Sequence, residues 1–303
     1  MSARFTFTRP ARLAAIAPYL WMLLFFLVPF GFVLKISLSQ TAIAQPPYVP
    51  VFDLTQGLSA INGLAELSLD NFRLLVSDNL YVLSYLRSLA VAAVSTSILL
   101  VIGYPLAYAM ARLPRRWQAL AMMLVIIPFW TSFLIRIYAW INILQHDGVL
   151  NKFLLVLHLV SAPVVWLSTD SAMYLGIVYS YLPFMILPLY ASLAKMDPAL
   201  LEAAEDLGAS RTRAFWLVTF PLSLPGIAAG TLLCFIPIVG EFVIPDLLAG
   251  SNSLMIGQTL WLEFFTNKDW PVASAAAVAL LLLLVVPLAL YDRLQRRRLE
   301  QAR

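Results

Sequence analysis

The sequence has few charged residues, one cysteine and two histidines. Only 12% of its 303 residues are charged and 61% are hydrophobic, whereas an ordinary soluble domain carries about 25% charged residues. Because Cys234 stands alone, no disulfide within the chain is possible. His146 and His158 lack the spacing of metal ligands, so no metal site is predicted. The scarcity of charge excludes an ordinary soluble domain and indicates a membrane protein.

Motifs of nucleotide hydrolysis and of membrane-embedded enzymes are also missing. No glycine is followed by lysine, which excludes the Walker A loop that holds the phosphates of ATP. Neither H-E-x-x-H nor G-x-S-x-G occurs, and the apolar segments carry no paired acids at helical spacing. We therefore expect no catalytic residue and no bound cofactor. A membrane-embedded enzyme, and a secondary transporter or channel that works alone, are the alternatives of other classes.

Six apolar segments are long enough to cross a bilayer, which needs about 20 residues per helix. The sequence predicts an all-α integral membrane protein whose six transmembrane helices occupy residues 13–38, 82–111, 118–143, 172–194, 222–247 and 271–291. They form one predicted domain, 13–291, between an N-terminal segment (1–12) and a basic tail (292–303). A cleavable signal peptide competes for the first segment, but its apolar core spans only about 7–15 residues.

The distribution of lysine and arginine predicts the orientation of these segments. Fourteen of the 20 basic residues fall on one side, in residues 1–12, 112–116, 195–221 and 292–303. Basic loops are retained in the cytoplasm, so both termini and residues 197–221 are predicted to be cytoplasmic. The opposite loops are rich in acids, which either attract a cationic solute or only keep those loops hydrated.

The polar stretch between the fourth and fifth segments has its own helix signals. Asp197 is predicted to cap a helix that begins at Pro198. Gly208 is placed to end that helix in a left-handed conformation. Ser210 is predicted to cap a second helix, and Pro221 to restart the chain before the fifth segment. The stretch is therefore expected to form a helix, a glycine corner and a second helix.

A motif of fixed spacing runs through this stretch. Glu202-Ala203-Ala204 is followed after three residues by Gly208, and after nine more by Val218-x-Phe220-Pro221. This spacing resembles the EAA loop of type I ABC importer permeases, with Val218 and Phe220 in place of the usual Ile and Leu. The resemblance implies that the loop couples to an ATPase through Glu202, Ala203, Ala204, Asp206, Gly208 and Arg211. An ordinary amphipathic surface loop is the alternative.

The resemblance also implies the partners of the chain. Type I ABC importer permeases lie in the lipid bilayer of the bacterial inner membrane and work with a second, homologous permease. Two copies of a cytoplasmic ATP-binding subunit bind the ATP, and a periplasmic solute-binding protein delivers the solute. No nucleic acid takes part.

Charged residues inside predicted membrane segments are a further signal. A charge at mid-membrane costs about 2.5–3.5 kcal/mol on insertion scales, so such residues are functional candidates. Arg136 and Glu241 fall at similar depth in the third and fifth segments. Either they form an ion pair that fixes packing, or Glu241 meets the ammonium group of a solute. Trp130 and Tyr138 belong either to an aromatic belt or to a cation path, and Asp246 completes the candidate path.

Residues 127–140 and 240–247 sharpen the resemblance. Ile127-Pro-Phe-Trp-Thr-Ser-Phe-Leu-Ile-Arg-Ile-Tyr-Ala-Trp140 and Gly240-Glu-Phe-Val-Ile-Pro-Asp-Leu-Leu247 resemble putrescine and spermidine importer permeases, over most of residues 70–292. This implies a permease subunit that forms, with a second permease, the path for a polyamine. Related branches carry other organic solutes, so an amino acid or an opine-like amine is the alternative substrate.

Overall fold

The structure is a computed structural model, and its described residues are mostly helical. It describes the backbone of residues 9–51, 67–250 and 254–301. Side chains are described for residues 16–51, 67–250, 254–285 and 288–289. Most of the predicted N-terminal segment, and the side chains of the predicted tail, lie outside these described residues.

Fourteen α-helices and one small antiparallel hairpin make up the described chain. The helices are α1 (Arg9–Met22), α2 (Val28–Ser37), α3 (Asp70–Ser77), α4 (Asn79–Arg112), α5 (Arg115–Ile126), α6 (Phe133–Leu144), α7 (Val149–Val156), α8 (Asp170–Leu193), α9 (Ala199–Asp206), α10 (Arg211–Ala214), α11 (Phe220–Val239), α12 (Val243–Leu248), α13 (Ile256–Trp261) and α14 (Trp270–Gln301). The strands are β1 (Gln40–Thr41) and β2 (Tyr48–Val49). Tighter or wider helical turns occupy Leu23–Leu27, Ile127–Trp130, Phe215–Thr219 and Leu262–Thr266.

Among the described residues, four helical segments have the length and apolar composition to cross a membrane. They are Ile16–Ser37, Asn79–Arg112, Asp170–Leu193 and Arg211–Val239. They match the first, second, fourth and fifth predicted segments. Helix α14 covers the sixth and is apolar over Trp270–Val285. The predicted all-α membrane class is confirmed, while the count of six crossings stays a prediction.

The third predicted segment, 118–143, is not one continuous helix. Arg115–Trp130 and Phe133–Val156 meet at an angle of 88°. Pro128 lies in the 3₁₀ turn before the bend, where it offers no N–H for a helical hydrogen bond. Thr131 then adopts extended backbone angles, and its hydroxyl donates to the Pro128 carbonyl at 2.8 Å. The predicted third segment therefore contains a backbone break, which apolar composition does not register, and its crossing of the membrane stays a prediction.

The fifth predicted segment, 222–247, has other boundaries. Its helix begins at Arg211 and ends at Val239, and three non-helical residues separate it from α12. The predicted restart at Pro221 was wrong, because the helix runs through it. A π-helical turn, Phe215–Thr219, directly precedes this proline. Carbonyls in a π-helical turn bond five residues on rather than four, so the helix tolerates the missing N–H of Pro221.

The chain divides into two compact units, and the first comprises residues 1–82 and 260–303. Within it, α14 packs against α2 and α3. The amide of Asn71 on α3 donates to the carbonyl oxygens of Ser37 at 2.9 Å and Ser39 at 2.8 Å, at the end of α2. Because both serines are fully buried, these bonds satisfy carbonyl groups that water cannot reach.

The second unit comprises residues 83–259 and is organised around α8 and α11. The two helices approach closely where Gly226 of α11 faces α8. A Cβ on Gly226 would lie 2.5 Å from the Cβ of Ser192 and 3.0 Å from the carbonyl oxygen of Pro188. Small residues permit such close packing of membrane helices. Helix α12 packs against α8 and α6. All the predicted site residues lie within this unit.

Candidate functional site

The stretch between α8 and α11 forms the predicted helix, corner and second helix. Gly208 has φ +80°. Its N–H donates to the Glu205 carbonyl at 2.9 Å, and the N–H of Ala209 donates to the Ala204 carbonyl at 3.0 Å. This is the bonding of a Schellman motif, in which the left-handed residue is usually glycine. A Cβ on Gly208 would meet nothing within 4 Å, so the positive φ alone requires glycine.

The two predicted caps differ in accuracy. Ser210 accepts a hydrogen bond from the N–H of Arg213 at 3.4 Å and caps α10, as predicted. Asp197 accepts from the N–H of Ala199 at 3.0 Å, but α9 begins at Ala199 and not at Pro198. The predicted start was wrong by one residue, because Pro198 itself stands at the N-cap position.

The predicted coupling residues form an exposed acidic and apolar surface. Glu202, Ala203, Asp206 and Arg211 are exposed, and Ala204 is half-buried. Leu207, beside the corner, is 89% exposed. The acids next to it, Glu202 and Asp206, give this surface a negative charge.

Glu241 lies in the break between α11 and α12 and is almost fully buried, with 9% exposure. One carboxylate oxygen accepts from the N–H groups of Val243 at 3.1 Å and Ile244 at 3.4 Å, at the start of α12. The other accepts from the hydroxyl of Tyr181, on α8, at 2.6 Å. Glu241 therefore satisfies backbone donors that no helical carbonyl can reach and ties α12 to α8.

Arg136 lies on α6, and its guanidinium packs against aromatic rings. Its central carbon is 4.8 Å from the ring centre of Phe129 and 5.7 Å from that of Phe133. Among the described residues, its buried Nε and Nη1 atoms have no hydrogen-bond partner. Arg136 takes part in none of the ion pairs found among the described residues, which include Arg73–Asp70, Arg87–Asp170 and His146–Asp147. The ion pair between Arg136 and Glu241, one of the two alternatives that the sequence offered, is thus not present in this structure.

A cleft of about 720 Å³ lies beside Arg136, between α6, α8 and α11. Its walls are aromatic and aliphatic apart from Arg136 and two hydroxyl-bearing residues; it is lined by Phe129, Phe133, Arg136, Ser180, Tyr181, Phe184, Ala229, Leu232, Leu233, Ile236 and Pro237. The rings of Phe129 and Phe184 meet edge to face, with centroids 5.1 Å apart. Arg136 thus places one positive charge in a cleft whose other lining residues are uncharged and mostly apolar.

The other predicted path residues lie elsewhere. Trp130 is 76% exposed beside the bend of the third segment and lines a separate cleft of about 540 Å³. Tyr138 is 53% exposed on α6, and Asp246 is exposed on α12. Tyr181 lines the same cleft as Arg136 and donates to the Glu241 carboxylate.

Sequence reasoning missed Tyr181 and Asn151. Tyr181 lies in an apolar helix and gave no signal except its hydroxyl. Asn151, on α7, is fully buried. Its amide nitrogen donates to the carbonyls of His146 at 3.0 Å and Val164 at 2.9 Å, and its amide oxygen accepts from the indole N–H of Trp166 at 3.1 Å. The sequence signal for such a residue is an asparagine within a mostly apolar helix, as Asn151 is within Val149–Val156.

Comparison with known proteins agrees with this architecture. Residues 103–300 match the family described as binding-protein-dependent transport system inner membrane component. The chain is 42% identical over 229 residues to the spermidine/putrescine transport system permease protein PotB of Escherichia coli K12, covering 76% of this chain and 83% of that protein. It is 34% identical over 241 residues to the inner membrane ABC transporter permease protein YdcU of the same organism, covering 76% of each.

A solved structure shares the fold. It is a bacterial alginate ABC transporter in complex with an alginate pentasaccharide-bound periplasmic protein. The TM-score is 0.72, and the likeness covers 94% of this chain and 93% of that chain. At 16% sequence identity the likeness concerns the fold alone.

Proposed function

The chain belongs to the family of binding-protein-dependent transport system inner membrane components, and from this premise we propose that it carries a polyamine such as putrescine or spermidine across the membrane. It is a permease of the type I ABC importer class, a transport protein and not an enzyme. The observation that supports the polyamine is the 42% identity to the spermidine/putrescine permease PotB over 76% of the chain.

The proposed assembly follows the predicted partners. Two ATP-binding subunits dock on the cytoplasmic side, a second permease completes the path, and a solute-binding protein delivers the polyamine from outside. The exposed surface of Glu202, Ala203 and Leu207 supports docking of an ATPase groove. Both termini are proposed to be cytoplasmic, because the basic residues concentrate on that face.

The proposed path uses the predicted residues in different ways. Trp130, Tyr138 and Asp246 present exposed aromatic and acidic groups, which suit the ammonium groups of a polyamine. Glu241 is proposed to influence the solute path indirectly, because both of its carboxylate oxygens already accept protein hydrogen bonds. It fixes the position of α12, which carries Asp246, and so shapes the path without contacting the solute.

Reconstitution in liposomes tests this function. The chain is co-expressed with a second permease, an ATPase and a solute-binding protein of the same importer class. Uptake of labelled putrescine and spermidine is measured with ATP enclosed in the liposome lumen, on the side that the ATPase faces. We expect ATP-dependent uptake of at least one polyamine. Omission of the ATPase subunit is the control, and uptake that persists without it would indicate a secondary transporter. Uptake of amino acids or opines in place of polyamines would contradict the proposed substrate.

A further inference from the structure

Arg136 has hydrogen-bond donors that the described chain does not satisfy. Its Nε and Nη1 atoms are buried and have no partner within the described residues. The rings of Phe129 and Phe133 cover the guanidinium at 4.8 and 5.7 Å. Aromatic faces attract the charge of a guanidinium, but they do not replace oxygen acceptors for its N–H groups. Buried polar groups are almost always hydrogen-bonded in folded proteins, so these donors call for an acceptor.

The chemistry of that acceptor follows from the guanidinium. Arginine stays charged in a protein and presents its N–H groups in a planar fork that matches a carboxylate or a phosphate. Glu241 does not serve in this structure, because its oxygens accept from Tyr181, Val243 and Ile244 and it forms no ion pair with Arg136. The described ion pairs likewise leave Arg136 out. No acceptor for Arg136 is found among the described residues, so an anionic group of another molecule that reaches the cleft would satisfy it.

The cleft itself restricts the source of that group. Its aromatic and aliphatic walls, with Phe184, Leu232 and Ile236 among them, complement an apolar helix and not a hydrated loop. A polyamine is cationic and is repelled by Arg136. The ATPase and the solute-binding protein meet the permease at its aqueous faces. The second permease is the component that brings apolar helices to this depth.

We propose that the cleft between α6, α8 and α11 receives a membrane helix of the second permease, whose aspartate or glutamate pairs with Arg136. This rests on the proposed function, since it requires a second permease. The apolar walls supply the contact area, and the single charge pair fixes the register of the two subunits. A buried polar pair is known to act in this way where it sets the alignment of packed helices.

Copurification of the two permeases tests the contact. The tagged full chain is expressed with its second permease, and the recovered ratio is measured for the wild type, Arg136→Lys, Arg136→Leu and Arg136→Glu. We expect Arg136→Glu to reduce the ratio at least tenfold and Arg136→Lys to reduce it less, since lysine keeps the charge but not the fork. Lys152→Glu, an equal charge change at an exposed position on α7, is the matched control and should copurify normally.

A second measurement separates this contact from a role in the fold of the chain. Arg136→Leu removes a buried charge that the chain alone does not satisfy, so the chain purified alone in detergent should melt at the same or a higher temperature. The same variant should nevertheless lose second permease in copurification. A lower melting temperature of the isolated variant would overturn the proposal, because it would assign the acceptor to this chain.

Charge exchange identifies the partner residue. Each acidic residue in the membrane segments of the second permease is changed to arginine beside Arg136→Glu, and restored copurification at one position supports the pair. If the wild type pairs but the Arg136 variants pair equally well, the contact is refuted while the proposed function stands. If the wild type does not pair at all, the proposed function fails with it. Stabilisation of the isolated wild type, but not of Arg136→Leu, by anionic lipid in nanodiscs would assign the acceptor to a lipid phosphate and overturn the proposal.

Discussion

Tyr181→Phe tests whether Glu241 acts as a structural tie. The change removes only the hydroxyl that donates to the Glu241 carboxylate at 2.6 Å. A hydrogen bond to a charged group contributes about 1.5–3 kcal/mol, and the buried oxygen left without a donor adds to the loss. We expect the free energy of unfolding to fall by about 1.5–3 kcal/mol. For domains of 150–250 residues, each kcal/mol lowers the melting temperature by about 2–4 °C, so a decrease of several degrees is expected.

The assay is thermal unfolding of the detergent-purified permease, together with uptake by the reconstituted importer. Tyr138→Phe is the matched control for the unfolding measurement alone, because the same hydroxyl is removed from a side chain that is 53% exposed. Its uptake is not compared, since Tyr138 belongs to the proposed path. Glu241→Gln should cost less than Glu241→Ala, since the glutamine oxygen can still accept from the N–H groups of Val243 and Ile244. In a double-mutant cycle, Tyr181→Phe and Glu241→Gln should be coupled by about 0.5–3 kcal/mol.

Two results would refute this reasoning. The first is a Tyr181→Phe variant as stable as Tyr138→Phe, which would mean that the tie contributes nothing. The second is a Glu241→Gln variant with unchanged stability and abolished uptake, which would assign Glu241 to the solute and not to the fold.

Three further predictions follow from the same geometry. Gly208→Ala should destabilise the corner by about 1–2 kcal/mol, because alanine disfavours a positive φ, and should lower transport-coupled ATPase activity. Gly208→Asn should lose less stability and activity, and equal losses in the two variants would refute the role of φ. A cysteine that replaces Asp147 should react with an impermeant thiol reagent added outside intact cells, and one that replaces Ser210 should not. Cys234 is fully buried and should add little background. Equal labelling at both positions would refute the predicted membrane orientation. Gly226→Leu should separate α8 from α11 and cost about 1–3 kcal/mol or more, measured as a lower melting temperature, and an unchanged one would refute the close approach.

Local chemistry explains why the corner between α9 and α10 could be predicted from the sequence. The left-handed Gly208 and the cap at Ser210 depend on residues within five positions of each other. Their conformations follow from backbone sterics and from unsatisfied N–H groups. No distant contact was needed to predict them, and the error at Pro198 was a single residue.

The environment of Glu241 could not be predicted in the same way. Its depth in the membrane was inferred from its position in the fifth segment, and Arg136 was paired with it because the two depths agreed. Depth does not define the direction in which a side chain points around its helix. That direction depends on the packing of α8 against α11 and on the break after Val239, which bring Tyr181, sixty residues away, onto the carboxylate.

The helix from Arg211 to Val239 has a mechanical consequence. Its 29 residues, at about 1.5 Å each, form a rod of roughly 43 Å, longer than the hydrocarbon core of about 30 Å. One end is the corner at Gly208, and the other is the break that Glu241 holds. A tilt of about 10° around the middle of such a rod moves each end by roughly 4 Å. A displacement applied at the corner therefore reaches the Glu241 break as motion of a lever arm, without a relay of side chains between them.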